Sequence, residues 1–88
     1  MAQTSYQSVL EDIVSVIGQH VTDIAINETS RFDSDLALSS IEVMDVVADI
    51  EDHFNINIPL NRLPEMQTVG DTATQLTAMM AEQGSHSA

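Results

Sequence analysis

The stretch DSDLALSSIEVMDVVADIEDHF, residues 33 to 54, sets two serines directly before a run that is apolar on one side and acidic on another. Ser39 and Glu42 fit S-x-x-E, a pattern in which the serine hydroxyl accepts from the glutamate's amide while the glutamate reaches back to the serine's own. The pairing predicts a helix with Ser39 as N-cap and Ser40 at the first helical position. At about 100° per residue, Val43, Val46, Val47, Ile50 and Phe54 share a core face, and Glu42, Asp45, Asp49 and Asp52 form a stripe roughly opposite. Ile41, Met44 and Ala48 fall between the two as a weakly apolar strip.

Working outward, Tyr6, Val9, Leu10, Ile13, Val14 and Ile17 recur at helical spacing, with Thr4 and Gln7 placed as a capping box and Gly18 as a stop. From Gln19 to Leu38 the periodicity fails. A connection of that length needs its own apolar ties, for which Val21, Ile24, Ile26, Phe32, Leu36 and Leu38 are available. After FNINIP, the segment LNRL holds a single helical turn at most, which Pro64 is expected to end early. TVGDTATQLTAMMA then opens on Thr68 and Asp71 in a T-x-x-D arrangement and continues with Val69, Ala73, Leu76, Met79 and Met80 as a final helix. No internal repeat and no strand pairing emerges, INI at 56–58 being an extended linker. The expected fold is all-α: a small four-helix bundle, three main helices plus a short third helix, with a long loop between helices 1 and 2. Residues 1–83 form the one domain and 84–88 a frayed tail.

Composition narrows the function classes. Apolar residues are 43% of the 88 but the aromatics are only Tyr6, Phe32 and Phe54, so the core is aliphatic and deformable. A formal charge of −12, from 14 acids against two arginines and no lysine, repels nucleic acid and anionic lipid and favours basic partners. The chain has no cysteine, hence no disulfide, thiolate metal site or thiol of its own. No apolar run approaches the roughly 20 residues of a membrane span, and MAQTSYQSVLEDIV lacks the pattern of a secretory leader. A cytoplasmic protein, monomeric, is expected.

For chemistry, the serines come first. A hydrolytic serine needs a base, and His20, His53 and His86 offer none in a recognisable motif. A calcium loop beginning at Asp33 fails at its fifth, sixth and twelfth positions, which are Ala37, Leu38 and Met44. An exposed Ser40 at a helix start suits an attached phosphate, because free amides and the positive end of the helix dipole meet there. Pure capping by both serines is the plainer reading of the same spacing. Five of the eleven residues from Glu42 to Asp52 are acidic and none is basic, a local repulsion that a docking face for basic partners would explain.

DLALSSIEVMDVVADIEDHFNINIP followed by TVGD resembles the acyl carrier proteins, whose pattern is D-L-G-x-D-S-L, an acidic amphipathic helix, F-x-I-x-I-P and then T-V-G-D. The resemblance runs from Asp35 to about Met80. It implies 4′-phosphopantetheine on Ser40, with Ser39 as the minor alternative, and a carrier without catalysis of its own. The implied cargo is an acyl group held as a thioester in fatty-acid, polyketide or lipid-related biosynthesis. An aminoacyl or peptidyl carrier is the alternative within the family, and an unmodified acidic helical adaptor the alternative outside it. Implied partners are a phosphopantetheinyl transferase and acyl-transferring and chain-processing enzymes with basic patches, meeting Glu42, Met44, Asp45, Ala48, Glu51 and Asp52. The implied acyl pocket comprises Val46, Val47, Ile50, Phe54, Ile58, Met66 and Val69. Ser39 in place of Asp, Ala37 in place of Gly, and Pro64 depart from the pattern and suggest a specialised carrier. Ala37 restricts the loop if its position requires a positive φ.

Overall fold

The computed structural model describes residues 5–84. It is all-helical, in the order α1 (Tyr6–Ile17), α2 (Ser40–Phe54), a 3₁₀ helix (Leu60–Glu65) and α3 (Val69–Gly84). Helix α1 is capped by Ser5, whose hydroxyl accepts from the Ser8 amide at 3.2 Å. The expected capping pair therefore moves one residue on: Thr4 lies outside the described residues, and Gln7 instead bonds Glu11 within the helix. Gly18 does end α1, but in a right-handed conformation. The next amides tighten into three-residue turns, Gln19 N–H donating to Val16 and His20 N–H to Ile17. Helix α3 runs to Gly84, so the expected tail begins at the edge of the described residues, and 85–88 lie outside them.

The core is aliphatic, as the composition requires. Val9, Ile13, Val16 and Ile17 of α1 pack with Val69, Ala73, Leu76 and Met79 of α3, and Val46 and Ile50 of α2 close the third side. Val43, Val47 and Phe54, expected on the same face, are only half-buried. Among the described residues, α2 comes within 8 Å of α1, backbone to backbone, but not of α3. The space this leaves between α2 and α3 positions the cavity described below.

The long loop is built into the fold by the start of α3. A helix leaves its first amides without intrahelical acceptors. Here Val69 N–H donates to the Ser30 carbonyl at 3.0 Å and Gly70 N–H to Glu28 at 2.7 Å. Asp71 N–H is taken by the Thr68 hydroxyl at 2.9 Å, while the Asp71 carboxylate accepts from Thr68 N–H, completing the T-x-x-D cap. Phe32 N–H reaches Gln67, and Arg31 and Thr68 form an isolated antiparallel bridge, a pairing invisible to strand periodicity. Phe32, Leu36 and Leu38 are buried and Val21 and Ile26 partly so, but Ile24 is 41% exposed and ties nothing. The Tyr6 hydroxyl donates to Glu28, and that bond, then desolvation and the negative charge of Glu28, hold the phenol above its ordinary pKa.

Pro64 sits inside the 3₁₀ helix and does not end it early. Its fixed φ suits 3₁₀ geometry, and the turns are held by bonds on either side, Arg62 N–H to Pro59 and Met66 N–H to Leu63.

Ala37 has φ 55°, left-handed backbone that disfavours any Cβ. Glycine there relieves about 1–2 kcal/mol of strain, partly offset by the greater freedom of the unfolded chain. Ala37→Gly is expected to raise Tm by roughly 2–6 °C. An unchanged or lower Tm in thermal melting would show that the strain at this residue does not exceed the added freedom of the unfolded chain.

Candidate functional site

At the start of α2 the two adjacent serines do different things. Ser39 Oγ accepts from Glu42 N–H at 3.2 Å, and Glu42 Oε1 accepts from Ser39 N–H at 2.8 Å, so the capping box is closed. Ser40 is exposed at the first helical position, and its hydroxyl makes no hydrogen bond among the described residues. The amides of Ser40 and Ile41 likewise have no acceptor among them and belong to the outward-pointing set at a helix N-terminus. A free hydroxyl beside free amides at the positive end of a 15-residue helix fits a phosphodiester attached to Ser40 Oγ.

The box is electrostatic as well as geometric. The Ser39 amide, then its hydroxyl, then the nearby His20 hold Glu42 below the ordinary glutamate value of 4.5. A depressed carboxylate stabilises the fold above its unfolded pKa, and that contribution is lost as pH falls through the folded value. Compared with Glu42→Gln, the wild type is therefore expected to hold a Tm advantage at neutral pH. The advantage disappears below pH 4.5, as Glu42 takes up its proton. A difference that does not change between pH 7 and about pH 3 would remove the charge of Glu42 from the account.

Along α2, Glu42, Asp45, Ala48 and Asp52 are exposed, beside Ile41 and Met44 at 76% and 44% exposure. On the helical wheel the apolar residues lie along one edge of this exposed surface, and Asp52, Asp45 and Glu42 follow along the other. Glu51 is half-buried, and its carboxylate accepts from Ile58 N–H at 2.7 Å, closing the corner after α2. Asp49 is bonded at 2.6 Å to His20, and Asp12 of α1 lies 3.6 Å from His53. The acidic run thus meets one imidazole from outside α2, that of His20, while His53 of α2 faces an acid of α1, pairings that spacing within α2 could not reveal.

Behind this face lies a cavity of about 50 Å³ lined by Phe32, Val43, Val46, Val47, Ile50, Ile58, Leu63, Met66 and Thr72. Five of the seven residues assigned to a pocket from sequence line it: Val46, Val47, Ile50, Ile58 and Met66. Phe54 and Val69 do not, Val69 being fully buried in the core. Sequence reading missed Phe32, Val43, Leu63 and Thr72 as lining residues. Val43 and Thr72 carried a usable signal, being one turn from Val46 and Val69 on buried faces. Among the described residues no three His, Asp or Glu side chains converge as metal ligands, and no helix is long and apolar enough to cross a membrane.

A family described as "Phosphopantetheine attachment site" matches residues 7–82. The chain is 34% identical over 68 residues to an acyl carrier protein of Exiguobacterium sibiricum, covering 77% of this chain and 84% of the relative. It is 33% identical over 66 residues to an acyl carrier protein of Wolinella succinogenes, covering 73% and 87%. A probable acyl carrier protein of Caulobacter vibrioides is 38% identical over 48 residues, 54% of this chain and 56% of that one.

Proposed function

The chain belongs to the acyl carrier protein family, and from that premise we propose that Ser40 bears its 4′-phosphopantetheine and presents acyl thioesters to partner enzymes. The observation that carries the choice of residue is the division of labour at 39 and 40. Ser39 Oγ is engaged as the helix cap, whereas Ser40 Oγ is exposed and unpartnered among the described residues. The family's prosthetic group supplies the thiol that this cysteine-free chain lacks.

The protein is a carrier, and its own residues hold and display. The cavity behind α2 receives the near end of an acyl chain, and its deformable aliphatic wall of Val43, Val47, Leu63 and Met66 parts for longer ones. Partners are a phosphopantetheinyl transferase and enzymes of fatty-acid, polyketide or lipid-related biosynthesis. They dock through basic patches on Glu42, Asp45 and Asp52, with Ile41, Met44 and Ala48 as the desolvated apolar edge and Glu51 at the margin.

The test of loading is an intact mass after incubation with coenzyme A, magnesium and a broad-specificity transferase, where a gain of one phosphopantetheine per chain is expected. No gain, with the transferase shown active on another carrier, would count against it. The docking charge has its own readout. Association with the transferase is expected to slow about tenfold or more from low to high salt, because screening removes steering by the acidic rim. An on-rate indifferent to salt would take steering out of the mechanism.

A further inference from the structure

Met44 stands apart from the other methionines. It is 44% exposed on α2, whereas Met66 and Met79 are 7% and 4% exposed and Met80 is half-buried against the core. Met1 lies outside the described residues. With no cysteine and no tryptophan in the chain, methionine is its most readily oxidised side chain. We propose that Met44 is a peroxide-sensitive site whose conversion to the sulfoxide obstructs enzymes that must reach Ser40, an inference that rests on loading at Ser40.

Position gives the residue its consequence. Met44 follows Ser40 by four residues, so the two side chains are neighbours on one side of α2, their Cβ atoms about 5–6 Å apart. Helical Cα–Cβ bonds tilt toward the N-terminus, which tips the thioether toward the serine. An enzyme that brings its reacting atoms to Ser40 Oγ therefore covers Met44 as well. Ile41, 76% exposed and three residues before Met44, extends the same apolar edge. The thioether is thus open to solvent before a complex forms and enclosed while it lasts.

The chemistry balances with one oxidant, a hydroperoxide. The sulfur lone pair takes the terminal oxygen, the O–O bond breaks, and the proton of the transferred hydroxyl passes to the departing oxygen. Sulfur loses two electrons and becomes the sulfoxide, while hydrogen peroxide is reduced to water. A chain of net charge −12 repels anionic oxidants and leaves neutral hydrogen peroxide unopposed.

The product is polar and chiral where the thioether was apolar and flexible. Enclosing its oxygen against a partner that offers no matched donor carries a desolvation cost that the thioether does not. Reductases specific for the two sulfoxide epimers restore the thioether, so the obstruction is reversible.

The experiment uses the unloaded chain, which has no thiol to compete for the oxidant. It is treated with hydrogen peroxide, the gained oxygen is placed by peptide mass, and loading is then measured with the transferase, coenzyme A and magnesium. Met44 is expected to gain oxygen faster than Met66, Met79 and Met80. The KM for the oxidised chain is expected to rise about tenfold with little change in kcat, and to return after treatment with the two reductases. Met44→Leu is expected to load at the same rate before and after peroxide. Met44→Gln, polar at similar length, is expected to load slowly without any peroxide.

Oxidation of Met66, Met79 or Met80 as fast as Met44 would overturn the site. Unchanged loading of a chain oxidised at Met44 would overturn its effect, as would a fall in Tm large enough to account for the lost loading. An untreated chain that fails to load would instead overturn attachment at Ser40, on which the site depends.

Discussion

Ser40→Ala is expected to abolish loading completely while leaving Tm within about 4 °C of wild type, the span of an ordinary surface substitution. Ser40 is exposed, accepts nothing among the described residues, and contributes no cap, so alanine at the first helical position removes only the nucleophilic oxygen. Ser39→Ala is expected to do the reverse. It deletes the acceptor for Glu42 N–H and loosens the Glu42 return bond, costing about 1 kcal/mol, or roughly 4–8 °C, while the modified hydroxyl remains. Loading followed by mass and stability followed by thermal melting together separate the two serines. Should Ser40→Ala keep a partner's binding and also keep the partner's output, the protein would be an adaptor that carries nothing.

Gly70→Ala is expected to give a large stability loss outside the hydrophobic core. A Cβ at Gly70 would lie 2.9 Å from Glu28 Cγ, 3.0 Å from the Glu28 carbonyl oxygen and 3.2 Å from the Tyr6 hydroxyl. The carbonyl is backbone, and it is also the acceptor for Gly70 N–H, so it cannot retreat without breaking the strap between loop and α3. Overpacking of this kind costs about 1–3 kcal/mol, of which alanine's better helix propensity returns up to about 1. With the full propensity gain returned, the net cost is up to about 2 kcal/mol, a fall in Tm of up to roughly 15 °C. Gly18→Ala is the control, since its Cβ would meet only carbonyl oxygens of the preceding turn at 3.3 and 3.4 Å, with φ already right-handed. Equal effects of the two substitutions would show that helix propensity, and not the close approach at Glu28, governs the result.

The difference between what could and could not be read from sequence follows from range. Ser39, Ser40 and Glu42 interact within one turn, so S-x-x-E located the start of α2 and its box correctly. The T-x-x-D cap at Thr68 and Asp71 held for the same reason. The loop from 19 to 38 did not yield to periodicity because its order comes from backbone amides of α3 seeking acceptors at Glu28 and Ser30, which side-chain identity does not encode. Ile24 misled because an apolar residue outside a periodic segment carries no facing information, and it lies exposed. Pro64 misled because the rule against proline applies to an α-helix interior, while the structure uses a 3₁₀ helix. At the candidate site, the helical wheel put Val43, Val46, Val47 and Ile50 on one face of α2, although Val43 was not assigned to the pocket and Phe54, which was, does not line it. Its Phe32 and Leu63 parts sit on a loop and a 3₁₀ turn, where no wheel applies.

Ala37 joins the two levels. The sequence raised the question of a positive φ at this residue, and the backbone adopts one, three residues before the serine that would carry the arm. The strain there is local and removable, which makes Ala37→Gly a test of the fold that leaves Ser39 and Ser40 chemically untouched.

The most direct test of the central claim is fragment mass spectrometry of the loaded wild-type chain, cleaved so that residues 39 and 40 fall on separable fragment ions. The phosphopantetheine is expected on Ser40 alone, with Ser39 unmodified. Modification of Ser39 would contradict the assignment, since the hydroxyl that caps α2 would then be the one that carries the cargo.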